Sequence, residues 1–326
     1  MKLGEESIAR DEAEIADRLI KAINRAALRR HAEGEVKRFN QAKGLGCFSA
    51  EFSIERDLPE ELQQGLFKSG HTFAARIRFA NASETDDAKK DFRGMSIKLT
   101  GIQGKSLWGT DGTQDFLLNS YPALFAATPA DFLLFAEAVA DDRAWRYFVN
   151  PRHFYSLMIV LKGRARISSP FDIRYWSTTP YRFGHSDAVA VKYSVRPSSS
   201  IRSEEPDAPG SDYLATAMKN HLRKAEACFD FMVQFQTDPG AMPIENASVE
   251  WDERISPFRK VATITIRDQE FQTPAASQQC ERMSFNPWQS LAEHRPIGGV
   301  NRVRKAIYSE AAQFRSEENR RRGLPG

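Results

Sequence analysis

Eight short stretches of this chain alternate apolar and polar residues, and that period of two is the strongest constraint on its fold. Four come early: GCFSAEFSI (46–54), AARIRFANA (74–82), GMSIKLTGI (94–102) and QDFLLNS (114–120). Four come late: AVAVKYSVRP (188–197), ACFDFMVQFQT (227–237), SVEWDE (248–253) and KVATITIRD (260–268). Alternation places successive side chains on opposite faces of a strand. Helical spacing flanks and interrupts these strands. Ile15, Leu19, Ile20, Ile23 and Ala27 mark a helix over 5–33 that stops at Gly34; a Thr128-Pro129 cap opens a second over 128–142; a third runs from about Val300 to Arg320. About eight strands between helical ends predict an α+β protein built on a closed antiparallel β-barrel, in which no sheet edge is left exposed. Residues 1–34 read as an N-terminal helical arm and 35–326 as one barrel domain, with 196–212 a polar loop.

Charge excludes some functions. Across 326 residues, 46 basic and 43 acidic side chains leave a net charge of +3, which is no basis for nucleic-acid binding. Arg320-Arg321-Arg322 reads as a solvated tail. Cys47, Cys228 and Cys280 form no CxxC pair, so zinc and iron–sulfur signatures are absent. The N-terminus lacks the apolar core of a secretory signal and no apolar run is long enough to span a bilayer, so the expected location is the cytoplasm. GIQGKS (101–106) resembles a phosphate loop, but Leu99 occupies the place of its first glycine. The six histidines show no metal-ligand spacing. The 22 phenylalanines suit a packed β core, and they also suit a flat aromatic ligand.

The C-terminal helix carries a more specific pattern. Arg304, Tyr308 and Arg315 lie four and eleven residues apart, close to one and three helical turns, so they share a face. Guanidiniums beside a phenol favour its ionised form. A phenolate is a ligand for ferric iron, as in the tyrosine-ligated haem of catalase. By themselves these residues also fit a surface tyrosine on a basic helix.

Further segments, in order along the chain, make the sequence resemble the catalase superfamily, and most of all its small single-domain bacterial haem proteins, relatives of coral allene oxide synthase. AARIRFANAS (74–83) is similar to a family barrel strand; DDAKKDFRGMSIKL (86–99) to an Asp-x-x-x-Asp-x-Arg-Gly-x-x-x-Lys signature; QDFLLNSYPALF (114–125), YWSTTPYRFG (175–184) and HRPIGGVNRVR (294–304) to later family segments. The resemblance implies a catalase-like barrel holding haem b (ferric iron protoporphyrin IX). It implies that Tyr308 is the iron ligand, with Arg304, Arg315, Arg78, Arg38 and Phe125 around the cofactor. It also implies a peroxide substrate, and small relatives are often homodimers.

One departure governs the expected chemistry. The family run Arg-x-x-His-Ala-x-Gly-x-Gly aligns with Arg38-Phe-Asn-Gln41-Ala-Lys-Gly44-Leu-Gly46, so Gln41 replaces the distal histidine. Ala80 replaces the serine that supports that histidine, and the distal asparagine falls near Gly112 or Thr113. Gln41 and Thr113 are the candidate catalytic residues. Imidazole can move a proton between the oxygens of hydrogen peroxide; an amide can only donate and accept hydrogen bonds. An organic or fatty-acid hydroperoxide split homolytically needs no such base, so peroxidase, isomerase or lyase chemistry on it is the leading expectation. The alternatives are a hydrogen peroxide-consuming catalase or peroxidase that uses His31, and a haem-binding protein without turnover.

Overall fold

The computed structural model describes residues 2–68 and 70–324. Nine strands are present: β1 (Lys43–Ile54), β2 (Thr72–Asn81), β3 (Arg93–Thr100), β4 (Thr113–Asn119), β5 (Tyr175–Trp176), β6 (Tyr181–Arg182), β7 (Ala190–Pro197), β8 (Ala227–Phe235) and β9 (Arg259–Ile266). They hydrogen-bond in the order β5-β4-β3-β2-β1-β9-β8-β7, and pairing of β5 with β7 closes the eight into an antiparallel ring, with β6 attached to β7. Seven helices surround it: α1 (Glu12–Arg30), α2 (Pro129–Ala140), α3 (Trp145–Phe148), α4 (Phe154–Gly163), α5 (Tyr213–Lys224), α6 (Pro274–Arg282) and α7 (Gly299–Arg321). The closed barrel with outer helices is the fold class expected from the alternation.

The barrel interior is solid. Phe52, Phe79, Phe116, Tyr193 and Phe231 are all buried there. Their rings meet edge to face, as in Phe116 with Phe231 at 4.8 Å and Phe116 with Tyr193 at 5.0 Å between centroids. The phenylalanine content therefore goes into packing, and a flat ligand must sit elsewhere. Strand parity decides where. Ala75, Ile77 and Phe79 of β2, Met95 and Ile97 of β3, and Phe116 and Leu118 of β4 point inward. Arg78, Ser96, Leu117 and Asn119 therefore face outward from the same strands.

A helical layer covers that outer face. Leu19 and Ile23 of α1, Leu133 and Ala136 of α2, and Val303 and Ile307 of α7 form a second apolar core. α1 begins at Glu12 rather than near residue 5. Upstream of it, Glu6 accepts from the Gly298 N–H and pairs with Arg302, which draws the chain across the start of α7 instead.

One expected strand is missing. SVEWDE (248–253) is not a strand. The Gln234 side chain donates to the carbonyls of Trp251 (3.0 Å) and Ser256 (2.8 Å), so side-chain bonds replace a ladder there. The two-residue β5 takes the eighth place instead. The cysteines also hold a pairing that their spacing did not reveal: Cys47 of β1 is disulfide-bonded to Cys280 of α6, with Cα atoms 5.7 Å apart.

Candidate functional site

Between the outer face of β2–β4 and the helical layer lies a cavity of about 740 Å³. Arg304, Tyr308 and Arg315 line it from one face of α7, as their spacing requires. The start of α7 is clamped in place. Asn301, fully buried, donates to the Pro180 carbonyl (2.8 Å), and the Trp288 indole donates to the Asn301 carbonyl (2.7 Å). Arg304 donates to Thr179 Oγ1 (3.2 Å) and Asn301 Oδ1 (3.3 Å), both neutral oxygens, and among the described residues it pairs with no carboxylate. Behind this wall burial pushes the Tyr181 hydroxyl up to about 12, with the nearby Arg304 guanidinium opposing. Tyr181 thus stays protonated, and Tyr308 is the phenol of the pair that lines the cavity.

One end of the cavity is cationic. Arg78, 2% exposed, donates to the Gln41 carbonyl (2.8 Å) and reaches Glu281 Oε1 at 3.5 Å. Its Nε is buried without a partner. Arg38 pairs with the Glu281 carboxylate and donates to the carbonyls of Glu281 (2.8 Å) and Met283 (2.7 Å). Burial, together with the charges of Arg38 and Arg315, lowers Arg78 to about 10, and Glu281 resists that shift. Burial and Arg38 likewise lower Arg315. Arg38 and Arg78 thus share Glu281, and Arg315 lies near enough to feel its charge and that of Glu35.

Gln41 sits at the barrel-side wall, next to Arg78. Its backbone has φ 58°, its N–H donates to the Ala82 carbonyl (2.9 Å), and its carbonyl accepts from Arg78. Its side chain occupies space that Gly94 leaves free: a Cβ there would lie 2.2 Å from Gln41 Nε2. Ser96, Leu117 and Asn119 complete this wall. Phe125 lines the cavity and packs on Phe135 at 4.6 Å and on Tyr147 at 6.2 Å.

Arg38, Gln41, Arg78, Phe125, Arg304, Tyr308 and Arg315 therefore meet around one cavity. Two named residues do not. Thr113, expected to be catalytic, is not in the cavity wall; its hydroxyl donates to the Thr110 carbonyl (3.0 Å). It shares the outward parity of Leu117 and Asn119, but the cavity covers only the far end of β4. His31 ends α1, where its carbonyl accepts from Arg322 (2.7 Å), and it does not line the cavity. Glu281 and Asn119 were missed. Asn119 lines the cavity, seven or six residues after Gly112 or Thr113, where the family register puts an asparagine. The Asp87, Asp91 and Arg93 signature is structural: Asp87 accepts from Asn81 and Lys43 (both 2.8 Å), and Asp91 from the N–H groups of Ser83 (2.7 Å) and Glu84 (2.9 Å). Among the described residues no group of three or more His, Cys, Asp and Glu side chains could hold a metal ion.

The fold is catalase-like. It matches a fungal catalase (TM-score 0.70), catalase A from Saccharomyces cerevisiae (0.68) and a bacterial catalase (0.65). Each is 17% identical, and each match covers 88% of this chain but 61%, 62% and 58% of theirs, respectively. In sequence the chain is similar to the allene oxide synthase-lipoxygenase protein of Plexaura homomalla, 26% identical over 267 residues. That alignment takes 72% of this chain and 23% of the relative, so the chain spans less than a quarter of that protein's length. No family model matches.

Proposed function

We propose that this chain binds haem b in the cavity, with Tyr308 as the iron ligand, and turns over organic hydroperoxides, fatty-acid hydroperoxides included, in preference to hydrogen peroxide. The observation that carries this reading is the excess of cation over acid at one end of the cavity that Tyr308 lines. Arg38, Arg78 and Arg315 outnumber Glu281 and Glu35, the carboxylates whose charge reaches them, so net positive charge remains for a carboxylate-bearing group such as a haem propionate. The unpartnered Arg78 Nε supports the fit. So does Gly44, where a Cβ would lie 3.0 Å from Glu281 Oε1 and 3.4 Å from Arg78 Nη2. Phe125 and its aromatic neighbours offer a ring-sized apolar surface.

Bound haem would supply a ferric centre for breaking a peroxide O–O bond. The chain's own residues would set which peroxide is used. Arg304, one turn from Tyr308 on the same helix face, would place a positive charge beside the iron ligand. Gln41 and Asn119 can orient a hydroperoxide by hydrogen bonding, but neither can carry a proton between its oxygens. Missing general acid–base help costs about 10²–10⁴-fold in rate. The place of His31 outside the cavity wall weighs against the reading in which it supplies that help. The disulfide favours an oxidising surrounding over the expected cytoplasm.

The test is an absorption spectrum of haem-loaded protein, wild type beside Tyr308→Phe, followed by mixing with hydrogen peroxide and with a fatty-acid hydroperoxide. A tyrosinate-haem spectrum lost in the variant, with faster turnover of the fatty-acid hydroperoxide, is expected. An identical spectrum in both proteins overturns the ligand assignment. Faster hydrogen peroxide consumption overturns the substrate preference.

A further inference from the structure

α3 and α4 form a short helical hairpin stapled from within. The His153 ring stacks on Tyr147 with centroids 3.9 Å apart, His153 Nδ1 lies 2.7 Å from the Tyr147 carbonyl, and the Tyr147 hydroxyl lies 3.3 Å from Ser156 Oγ. The inner side of this hairpin gives Ala144, Phe148 and Val160 to the cavity wall. Its outer side is unusually apolar. Trp145 (62% exposed), Val149, Phe154 (64%), Tyr155 and Leu161 (63%) all stand in solvent. Trp145 and Val149 are one turn apart on α3, and Phe154 and Leu161 two turns apart on α4, so each pair shares a helix face. A face of this kind on a soluble chain marks an interaction site.

Charge identifies the partner. From Arg143 through Phe171 the sequence has six Lys and Arg residues and no Asp or Glu, in a chain whose charges otherwise nearly cancel. Arg164 and Arg166 are paired with Glu84 and Glu205. Arg143, Arg146, Arg152 and Lys162 have no acidic partner among the described residues, and Arg146 lies 5.7 Å from the Trp145 ring centroid. Asp141 and Asp142, just upstream, are drawn to Arg25 and Arg29 of α1. Exposed aromatic residues mixed with unpaired cations suit the headgroup region of an anionic membrane, where the rings enter the interface and the cations meet phosphate. A second copy of this chain would bring like charge against like.

We propose that the α3–α4 hairpin docks the protein on an anionic lipid surface. Resting on the hydroperoxide reading, the same hairpin would pass an acyl hydroperoxide from the bilayer into the cavity, since its inner residues are cavity wall. No step through bulk water is then needed.

The experiment is co-sedimentation of the haem-loaded protein with phosphatidylcholine vesicles, with and without phosphatidylglycerol. Binding is expected only with phosphatidylglycerol, and weaker as salt rises. Arg152→Gln and Lys162→Gln should each weaken it about fivefold, the equivalent of ~1 kcal/mol for a basic residue at such a surface. Trp145→Ser with Phe154→Ser, both exposed and outside the core, should abolish it. No binding, binding indifferent to lipid charge, or a dimer in solution that the Trp145→Ser, Phe154→Ser variant dissociates overturns the proposal. Turnover separates the two readings. With tert-butyl hydroperoxide, which needs no membrane, the variants should match wild type, while turnover of a vesicle-borne fatty-acid hydroperoxide falls. Wild type inert towards both peroxides removes the hydroperoxide reading and leaves the vesicle result to decide docking by itself.

Discussion

Two arginine clusters share α7 and have opposite balances of charge. Arg302 bonds three carboxylates: Glu12 (2.7 and 2.8 Å), Glu6 (2.7 Å), which Arg295 also bonds (2.6 Å), and Glu245 (both contacts 3.0 Å). Arg38, Arg78 and Arg315 are three guanidiniums around Glu281. Burial lowers the proton affinity of Arg302, but its acid partners raise it well above the ordinary value, whereas Arg78 is lowered to about 10. The difference separates a fastener from a receptor. The acid-rich cluster joins the N-terminal segment, α1 and the 245 region to the start of α7, and its charges are answered within the chain. The cation-rich cluster borders the cavity, and its charge is only partly answered by Glu281.

The most forceful way to break this comparison is to remove one arginine from each side. Arg302→Ala leaves Glu12 without its basic partner and takes one from Glu6 and Glu245, and should cost about 3–5 kcal/mol in urea unfolding of the ligand-free protein. Arg315→Leu removes a buried like charge and should leave that stability unchanged or higher. Equal losses would show that the clusters do not differ in kind.

Next in size is the disulfide that tethers α6, and with it Glu281, to β1. Cys280→Ser should lower stability by about 2–4 kcal/mol. A reductant should reproduce the loss in wild type and do nothing further to the variant; wild type indifferent to reductant would show that the bond is not made.

Arg78→Leu sharpens the receptor side. Losing a charged hydrogen-bond donor should weaken haem binding by about 1.5–3 kcal/mol, roughly 10- to 100-fold. The dimethyl ester of haem, which lacks carboxylates, should bind wild type and variant alike. If the ester shows the same loss, Arg78 acts through packing.

The smallest effect is in pH. Burial alone would raise Glu6, but the Gly298 N–H and the guanidiniums of Arg295 and Arg302 hold it below its ordinary 4.5. A carboxylate lowered in the folded state adds stability above pH 4.5, and that stability is lost as pH falls through the folded value. Arg78, a base lowered to about 10, disfavours the folded state at every pH well below 10 and adds no slope in acid. Glu6→Gln should therefore flatten the acid limb of stability against pH, and Arg78→Leu should leave its shape intact.

Much of the cavity was legible because local periodicity reports local geometry. Spacings of four and eleven put Arg304, Tyr308 and Arg315 on one helix face before any packing is known. Alternation along β2 sends Phe79 inward and Arg78 outward. The aligned glycines of 38–46 carry Gln41 to the cavity, and Gly94 makes room for its amide. Other parts were not legible. Thr113 and Asn119 share a strand face, and only the position of the covering helices decides which of them meets the cavity. Glu281 belongs to no motif and reaches Arg38 and Arg78 because α6 folds back over β1. The eighth barrel strand is two residues long, too short to show a period.

Sequence by itself determined which side chains lie on which face of each helix and strand, because that follows from 3.6 and 2 residues per repeat. Tertiary structure alone decided that the barrel interior is full and the cavity lies outside it. It also decided that one acid, Glu281, meets two arginines from distant segments, since such contacts depend on how whole elements pack and carry no signature in local spacing.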